Sequence, residues 1–255
     1  MRPSLSLYFH NYVAPVVVLL GAVTPFQTYA APLQFPQLGA DLAAIAPRAN
    51  PAVIALATQA LACANRSQLV RNPQTLSVID YSRPSTQPRL WVFDLAQRRL
   101  LFEELVAHGR NTGDNMATRF SNAAGSLMSS IGVFVTSNTY IGHNGYSLRL
   151  RGLEPGFNDN ALDRDIVIHG ASYVNSELAR TQGRIGRSFG CPALRPTIAQ
   201  ALINAIRDGS LVVAYYPDKS WLNSSPFIHD CAITGASGTF ITSIASIGKS
   251  AQRSP

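Results

Sequence analysis

Two side chains in this sequence could together make and break an amide bond: His169 and Cys191. Asp165-Ile166-Val167-Ile168-His169-Gly170 reads as an apolar strand that delivers an imidazole at its C-terminal edge, and Gly170 permits close backbone approach there. Cys191 follows 22 positions later in the turn Ser188-Phe189-Gly190-Cys191-Pro192. A free thiol, with a pKa of about 8.5, is mostly protonated at neutral pH and needs a cationic or dipolar neighbour to become a thiolate. An imidazole supplies one, and later protonates a leaving amine. Backbone N–H groups of the Gly190-Cys191 turn are candidates for an oxyanion hole, because Gly190 can adopt geometry that other residues avoid. Spacing alone does not separate this pair from a chance one, since any chain with a few histidines and a cysteine yields such a pair.

Other chemistries fit less well. His108, His143, His169 and Cys191 could be assembled into a zinc site, but no pair of them has the close ligand spacing of structural or peptidase zinc motifs. Asp159, Asp163 and Asp165 lack the Gly and closing Glu of a calcium loop and read as a solvated turn with Arg164. No metal or organic cofactor is therefore expected. His108 and His143 read as loop residues near a cleft. Tyr140, Tyr146 and Tyr173 either line a groove or simply pack.

The elements that must position the pair are mostly strands. Period-two patterns mark 76–81 and 90–95, with 99–106 as a return arm, and further strands at 132–136, 147–153, 165–169 and 211–216. Gly109–Ser130 reads as a long surface loop, the kind that often binds or covers substrate. Helices are signalled from Asn50-Pro51 to about Asn65, and over Thr197–Asp208 with Gly209 as its C-cap. The fold class expected is mainly β with peripheral helices. Residues 31–75 read as a linker and N-terminal helix, 76–217 as the catalytic domain, and 218–255 as an extension with a poorly ordered tail.

Residues 1–30 read as a secretory signal: Arg2, an apolar stretch from Val13 to Val23, then small residues ending at Ala30. The alternative is an uncleaved anchor, although the stretch is far short of the ~20 residues that span a bilayer. Three cysteines in an oxidising compartment leave one odd thiol, and the expected arrangement pairs Cys63 with Cys231 and frees Cys191. The alternative keeps all three reduced and buried. Net charge is +7, but the Lys and Arg residues are scattered without interleaved aromatics, which argues against nucleic acid. An exported basic chain suits an anionic envelope polymer better.

His169-Gly170 followed by Ser188-Phe189-Gly190-Cys191 resembles the signature of the L,D-transpeptidase catalytic domain, the YkuD-type family. Similarity extends over Ile79–Ser85, Trp91–Leu95, His108-Gly109, Phe120–Asn122 and Ile166–Ala171, so that about residues 75–217 look like a Gram-negative murein branch of that family. There are two departures: Phe189 stands where the commoner motif has His, and Pro192-Ala193-Leu194-Arg195 follows where that motif has Arg or Asn two residues after the Cys. The resemblance implies an L,D-transpeptidase-like β-sandwich and a periplasmic cysteine transferase. Cys191 is its nucleophile and His169 its base, with Gly190 and Ser188 the further catalytic residues of the turn, Ser188 either hydrogen-bonding within it or contacting substrate. Gly170, Arg184, Arg187 and Arg195 are the residues expected to meet substrate, the arginines through its carboxylates. The implied partner is the stem peptide of peptidoglycan, cleaved at diaminopimelate–D-Ala and rejoined in 3→3 cross-links. Two alternatives remain: an L,D-carboxypeptidase using the same dyad, and a non-catalytic peptidoglycan-binding protein.

Overall fold

The computed structural model describes residues 35–229. The expected signal segment, the membrane-anchor alternative and Cys231 therefore lie outside the described residues. Among those described, no helix is long and apolar enough to cross a membrane.

Eight strands are described: β1 (Thr75–Asp80), β2 (Leu90–Asp94), β3 (Arg99–Glu104), β4 (Gly132–Gly142), β5 (Gly145–Gly152), β6 (Val167–Gly170), β7 (Ala193–Leu194) and β8 (Leu211–Tyr215). They form one sheet in the order β3-β2-β1-β8-β4-β5-β6-β7. Most neighbours are antiparallel, but β1 runs parallel to β8 and β6 parallel to β7. The helices are α1 (Phe35–Ile45), α2 (Pro51–Arg66), α3 (Ser176–Gln182), α4 (Pro196–Ile206) and α5 (Lys219–Ser224). This is the mainly β class with peripheral helices expected from the sequence.

Alternation along the strands divides the apolar residues between two cores. Leu76, Val78, Trp91, Phe93, Val133, Val135, Leu211 and Val213 face the first, which α1, α2 and α5 cover. Ile79, Leu90, Val92, Phe134, Leu148, Leu150, Ile168, Leu194 and Val212 face the second together with α4. Strands from both ends of the sheet meet in that second core, which requires the sheet to curl around it so that its halves sandwich the interior.

Residues 31–49 were expected to be a linker, but 35–45 form α1. Leu38 and Leu42, four residues apart on one face, and Ala46 just past the helix end are fully buried. Pro36 conceals the helix in a composition-based reading, yet it lies in the first turn, where a missing N–H costs nothing. A Cβ on Gly39 would come within 2.9 Å of Thr58 Oγ1, so the glycine lets α1 lie close against α2. Asn50 caps α2 as expected, its side chain accepting the Ala52 N–H at 3.0 Å.

The chain also continues in order past Tyr216, into α5. Asp218 caps this helix, and its Trp221 is fully buried, donating Nε1–H to both carboxylate oxygens of Glu154 at 3.1 and 3.0 Å. Glu154 also accepts from Val133 N at 2.6 Å and from the Ser225 hydroxyl. Burial pushes its carboxyl up, and these donors pull it back. α4 ends at Ile206 with Arg207 as its cap, so Gly209 is not the cap; its positive φ serves the next turn, where its carbonyl accepts from Arg71 and Asn72.

If α1 belongs to the folded core, Leu42→Ala should lower unfolding free energy by about 2–5 kcal/mol, the usual cost of such a cavity. Urea unfolding measures this; a change below about 0.5 kcal/mol would mean that α1 is a dispensable arm.

Candidate active site

Strand β6 and the turn before β7 place the sequence pair on adjacent segments of the sheet. In the parallel ladder His169 pairs with Ala193 and Gly170 with Leu194, so Cys191 sits two residues before His169's partner. The turn is built by its own side chains. Ser188 Oγ donates to the Cys191 carbonyl at 2.6 Å and accepts the Gly190 N–H at 3.1 Å. Gly190 has φ +132°, a conformation that strains any residue with a Cβ, and a Cβ there would come within 2.9 Å of Met128 O and 3.0 Å of Ile166 Cδ1. The Gly190 N–H, expected to help line an oxyanion hole, is instead spent on Ser188.

The Cys191 thiol is free and half-buried. Its sulfur accepts the Val167 N–H at 3.4 Å and donates to the Asp165 carbonyl at 3.5 Å, not to His169. Asp165 presents that carbonyl from a left-handed turn, φ +52°, which aspartate tolerates better than most residues. Burial pushes the thiol up; the Val167 N–H and the Arg164 charge pull it back. His169 is 4% exposed. Burial lowers its imidazole pKa, and a 3.0 Å contact from Nδ1 to the Gly170 carbonyl opposes that shift. The carbonyl can only accept, so Nδ1 carries the proton and Nε2 is left as the basic nitrogen.

The loop 109–130 is fastened to this turn. Gly109 forms a parallel bridge with Ser188. Ser129 Oγ donates to the Gly190 carbonyl at 2.9 Å and accepts the Gly109 N–H at 3.0 Å. The Arg164 guanidinium reaches across the same loop from the segment before β6. Arg164 is thus no part of a solvated turn; the nearby acidic side chains are engaged elsewhere, Asp165 with Arg149 at 3.2 Å and Asp159 with Asn122 at 2.7 Å.

The arginines expected to hold substrate carboxylates already have partners. Arg195 forms a bidentate pair with Glu104, Nε to Oε2 at 2.9 Å and Nη2 to Oε1 at 2.6 Å. Arg187 Nη1 donates to Gly113 O at 2.9 Å, Arg110 O at 3.2 Å and Asp114 Oδ1 at 2.8 Å. Arg184 Nη1 donates to Ile185 O at 3.1 Å. Gly170 serves the scaffold: its carbonyl orients His169, and a Cβ on it would come within 3.3 Å of Pro196 Cα at the start of α4. Phe189 is 68% exposed, with the Arg110 guanidinium 5.9 Å from its ring centroid. Beside it, Arg110, Arg119, Arg187 and Met116 line an open cleft of ≈ 570 Å³.

His108 was expected near a cleft but is buried, 1% exposed. Its Nδ1 accepts from Arg89 Nη2 at 2.8 Å, and Nε2 faces Gly113 O at 3.3 Å. Arg89 is itself fully buried and also donates to Val106 O and Arg83 O, with its guanidinium 5.3 Å from the Tyr81 ring centroid. This network was invisible in sequence because its members lie on separate segments and look like ordinary strand and loop residues. His143 is exposed in the β4–β5 turn. Among the described residues no cluster of His, Cys, Asp and Glu could hold a metal. Cys63 is disulfide-bonded.

The model of the L,D-transpeptidase catalytic domain family matches residues 45–215, and the chain belongs to that family. Solved structures similar to it include an L,D-transpeptidase from Mycobacterium smegmatis, 13% identical, covering 56% of this chain and 59% of that one with a TM-score of 0.35. A second is the helical cell shape determining protein Pgp2 from Campylobacter jejuni, 15% identical over 57% of this chain and 48% of that one, TM-score 0.38. A third is an L,D-transpeptidase from Xylanimonas cellulosilytica, 13% identical over 55% and 60%, TM-score 0.32. The chain thus spans about half to three-fifths of the structures it matches. No curated protein matches the sequence.

Burial, then the Arg89 charge, lowers the His108 pKa to about 4, while the Gly113 and Asp114 carbonyls oppose the shift. Unfolded, His108 takes its proton near pH 6.5, so its contribution to stability is complete above that pH and is lost as pH falls towards 4. The loss should reach about 3 kcal/mol, from 1.36 kcal/mol per pH unit. Urea unfolding of wild type and His108→Gln from pH 7 to 4 tests this: the variant should lose less stability over that range, and parallel losses would contradict it.

Proposed function

We propose that this chain is an exported peptidoglycan L,D-transpeptidase acting through a cysteine acyl-enzyme. The observation that carries the reading is His169, whose Nδ1 is fixed by the Gly170 carbonyl so that Nε2 can take a proton, on the strand adjacent to the segment that carries the one free thiol among the described residues. A neutral thiol and a neutral imidazole form the resting pair, both favoured by burial. The single side-chain torsion of Cys191 lets its sulfur leave the Asp165 carbonyl and turn towards His169. The proton passes to Nε2, and the thiolate attacks the carbonyl joining diaminopimelate to the terminal D-Ala. D-Ala leaves with the proton from His169, and a thioester remains on Cys191. An amine from a second stem peptide then attacks the thioester, restoring the thiol and forming a 3→3 cross-link; water in its place would give the L,D-carboxypeptidase outcome.

Since the Gly190 N–H is occupied, the Cys191 N–H is the turn donor left for the developing oxyanion. The +7 charge supports an anionic polymer as substrate, with the periplasm as its compartment. Arg110 and Arg119 on the open cleft are better placed for substrate carboxylates than the engaged Arg187 and Arg195.

The test is product analysis by mass spectrometry after incubating wild type and Cys191→Ala with a disaccharide-tetrapeptide. Wild type should release D-Ala and form a 3→3 dimer, and the variant should lose at least about a thousandfold in rate, as expected for loss of a covalent nucleophile. Tripeptide without dimer would assign the carboxypeptidase. Binding without turnover in both proteins would assign the non-catalytic alternative.

A further inference from the structure

Arg164 makes four side-chain hydrogen bonds, all to uncharged oxygens. Nη1 donates to Ser121 O at 2.8 Å and Ser130 Oγ at 2.6 Å; Nη2 donates to Ser126 Oγ at 3.1 Å and Met128 O at 2.6 Å. Among the described residues no carboxylate pairs with it, because Asp165 and Asp159 are turned to Arg149 and Asn122. Nη2 also lies 3.4 Å from where a Cβ on Gly190 would be, so the guanidinium abuts the residue before the nucleophile. A half-buried cation with only neutral acceptors bears a desolvation cost that those bonds offset in part. Such an arrangement is explained if a negative charge forms nearby during function, and the group there that can acquire one is Cys191.

We propose that Arg164 is the counter-ion of the Cys191 thiolate, a positioning residue that stands opposite the ionised sulfur while it pins the 121–130 loop to the nucleophile turn. Each charge favours the other: ionised Cys191 raises the affinity of Arg164 for its proton, and Arg164 favours ionised Cys191. The remaining groups facing the sulfur do not replace it. The Asp165 charge opposes ionisation, and the Val167 N–H contributes a dipole only. Tyr81 and Tyr173 are phenols pushed up to about 12, chiefly by burial, with the Cys191 charge adding to both. When His169 takes the thiol proton, the imidazolium on β6 adds a second cation to the one that Arg164 supplies from the segment before it. The inference rests on Cys191 being the nucleophile of the proposed reaction, but not on the identity of the acyl donor.

The test is the pH dependence of Cys191 alkylation by iodoacetamide, in which the thiolate displaces iodide and forms a sulfur–carbon bond. Arg164→Gln should move the midpoint up by about one pH unit, roughly tenfold less thiolate at neutral pH, the lower end of the effect of a neighbouring opposite charge. Arg164→Lys should return it to within about half a unit of wild type, because charge is restored although the fork of hydrogen bonds is not. An unchanged midpoint in folded Arg164→Gln, or a Lys variant shifted as far as the Gln one, would overturn the proposal. If the Gln variant does not fold, wild type with ¹⁵N-labelled arginine decides. The Arg164 Nε resonance should titrate with the thiol midpoint and stay flat in Cys191→Ala, and a flat signal in wild type would overturn the proposal. Iodoacetamide needs no peptide substrate, so this result stands apart from any failure to turn over muropeptides.

Discussion

The Ser188 hydroxyl donates to the Cys191 carbonyl and accepts the Gly190 N–H, and the placement of the Cys191 thiol depends on that pair of bonds. They close the chain into a turn tight enough to need Gly190 at positive φ, and tight enough that its carbonyl points at Ser129. The turn then fixes where β7 begins, hence the parallel register that sets His169 beside Ala193. Without this closure the thiol would hang from a flexible loop. With it, the sulfur is held against the backbone of β6, between the Val167 N–H and the Asp165 carbonyl.

The rest of the molecule makes that turn hard to move. The curled sheet supplies β6 from its far end, and α4 packs so closely that a Cβ on Gly170 would press against Ala199 and Pro196. The loop 109–130, which has little regular structure, is fastened from below by Ser129, Thr112 and Arg164. Its base rests on His108 and the buried Arg89, a cation whose partners are carbonyls, a neutral imidazole and the Tyr81 ring. Burial lowers the Arg89 pKa to about 10, so it stays charged at neutral pH. Removing one partner from such a cluster leaves a buried charge uncompensated, which costs more than the lost bond itself.

What the sequence disclosed was governed by local rules. Period-two runs such as 90–95, and the Asn50-Pro51 start of α2, carry their signals within a few residues, and the structure has elements there. His169-Gly170 and the Gly190-Cys191 turn were legible because strand-end and turn chemistry are also local. Three things were not. α1 was hidden by a proline that is harmless in a first turn. α5 is held by Glu154, 67 positions before Trp221, and no window on the tail can register that contact. Arg164, Arg187 and Arg195 looked alike as isolated arginines; their roles differ only through Met128, Asp114 and Glu104, which other segments bring to them. Local sequence signals placed His169, Ser188, Gly190 and Cys191 at a strand end and a turn, and did not register the partners that distant segments bring to them.

The central claim is that Cys191 becomes covalently acylated. The most direct measurement is intact-mass and peptide-mapping mass spectrometry of protein quenched in acid during reaction with tetrapeptide substrate. The account predicts a thioester adduct equal to substrate minus D-Ala, located on the peptide containing Cys191 and absent from Cys191→Ala. Turnover with no adduct at Cys191, or an adduct on another residue, would contradict it.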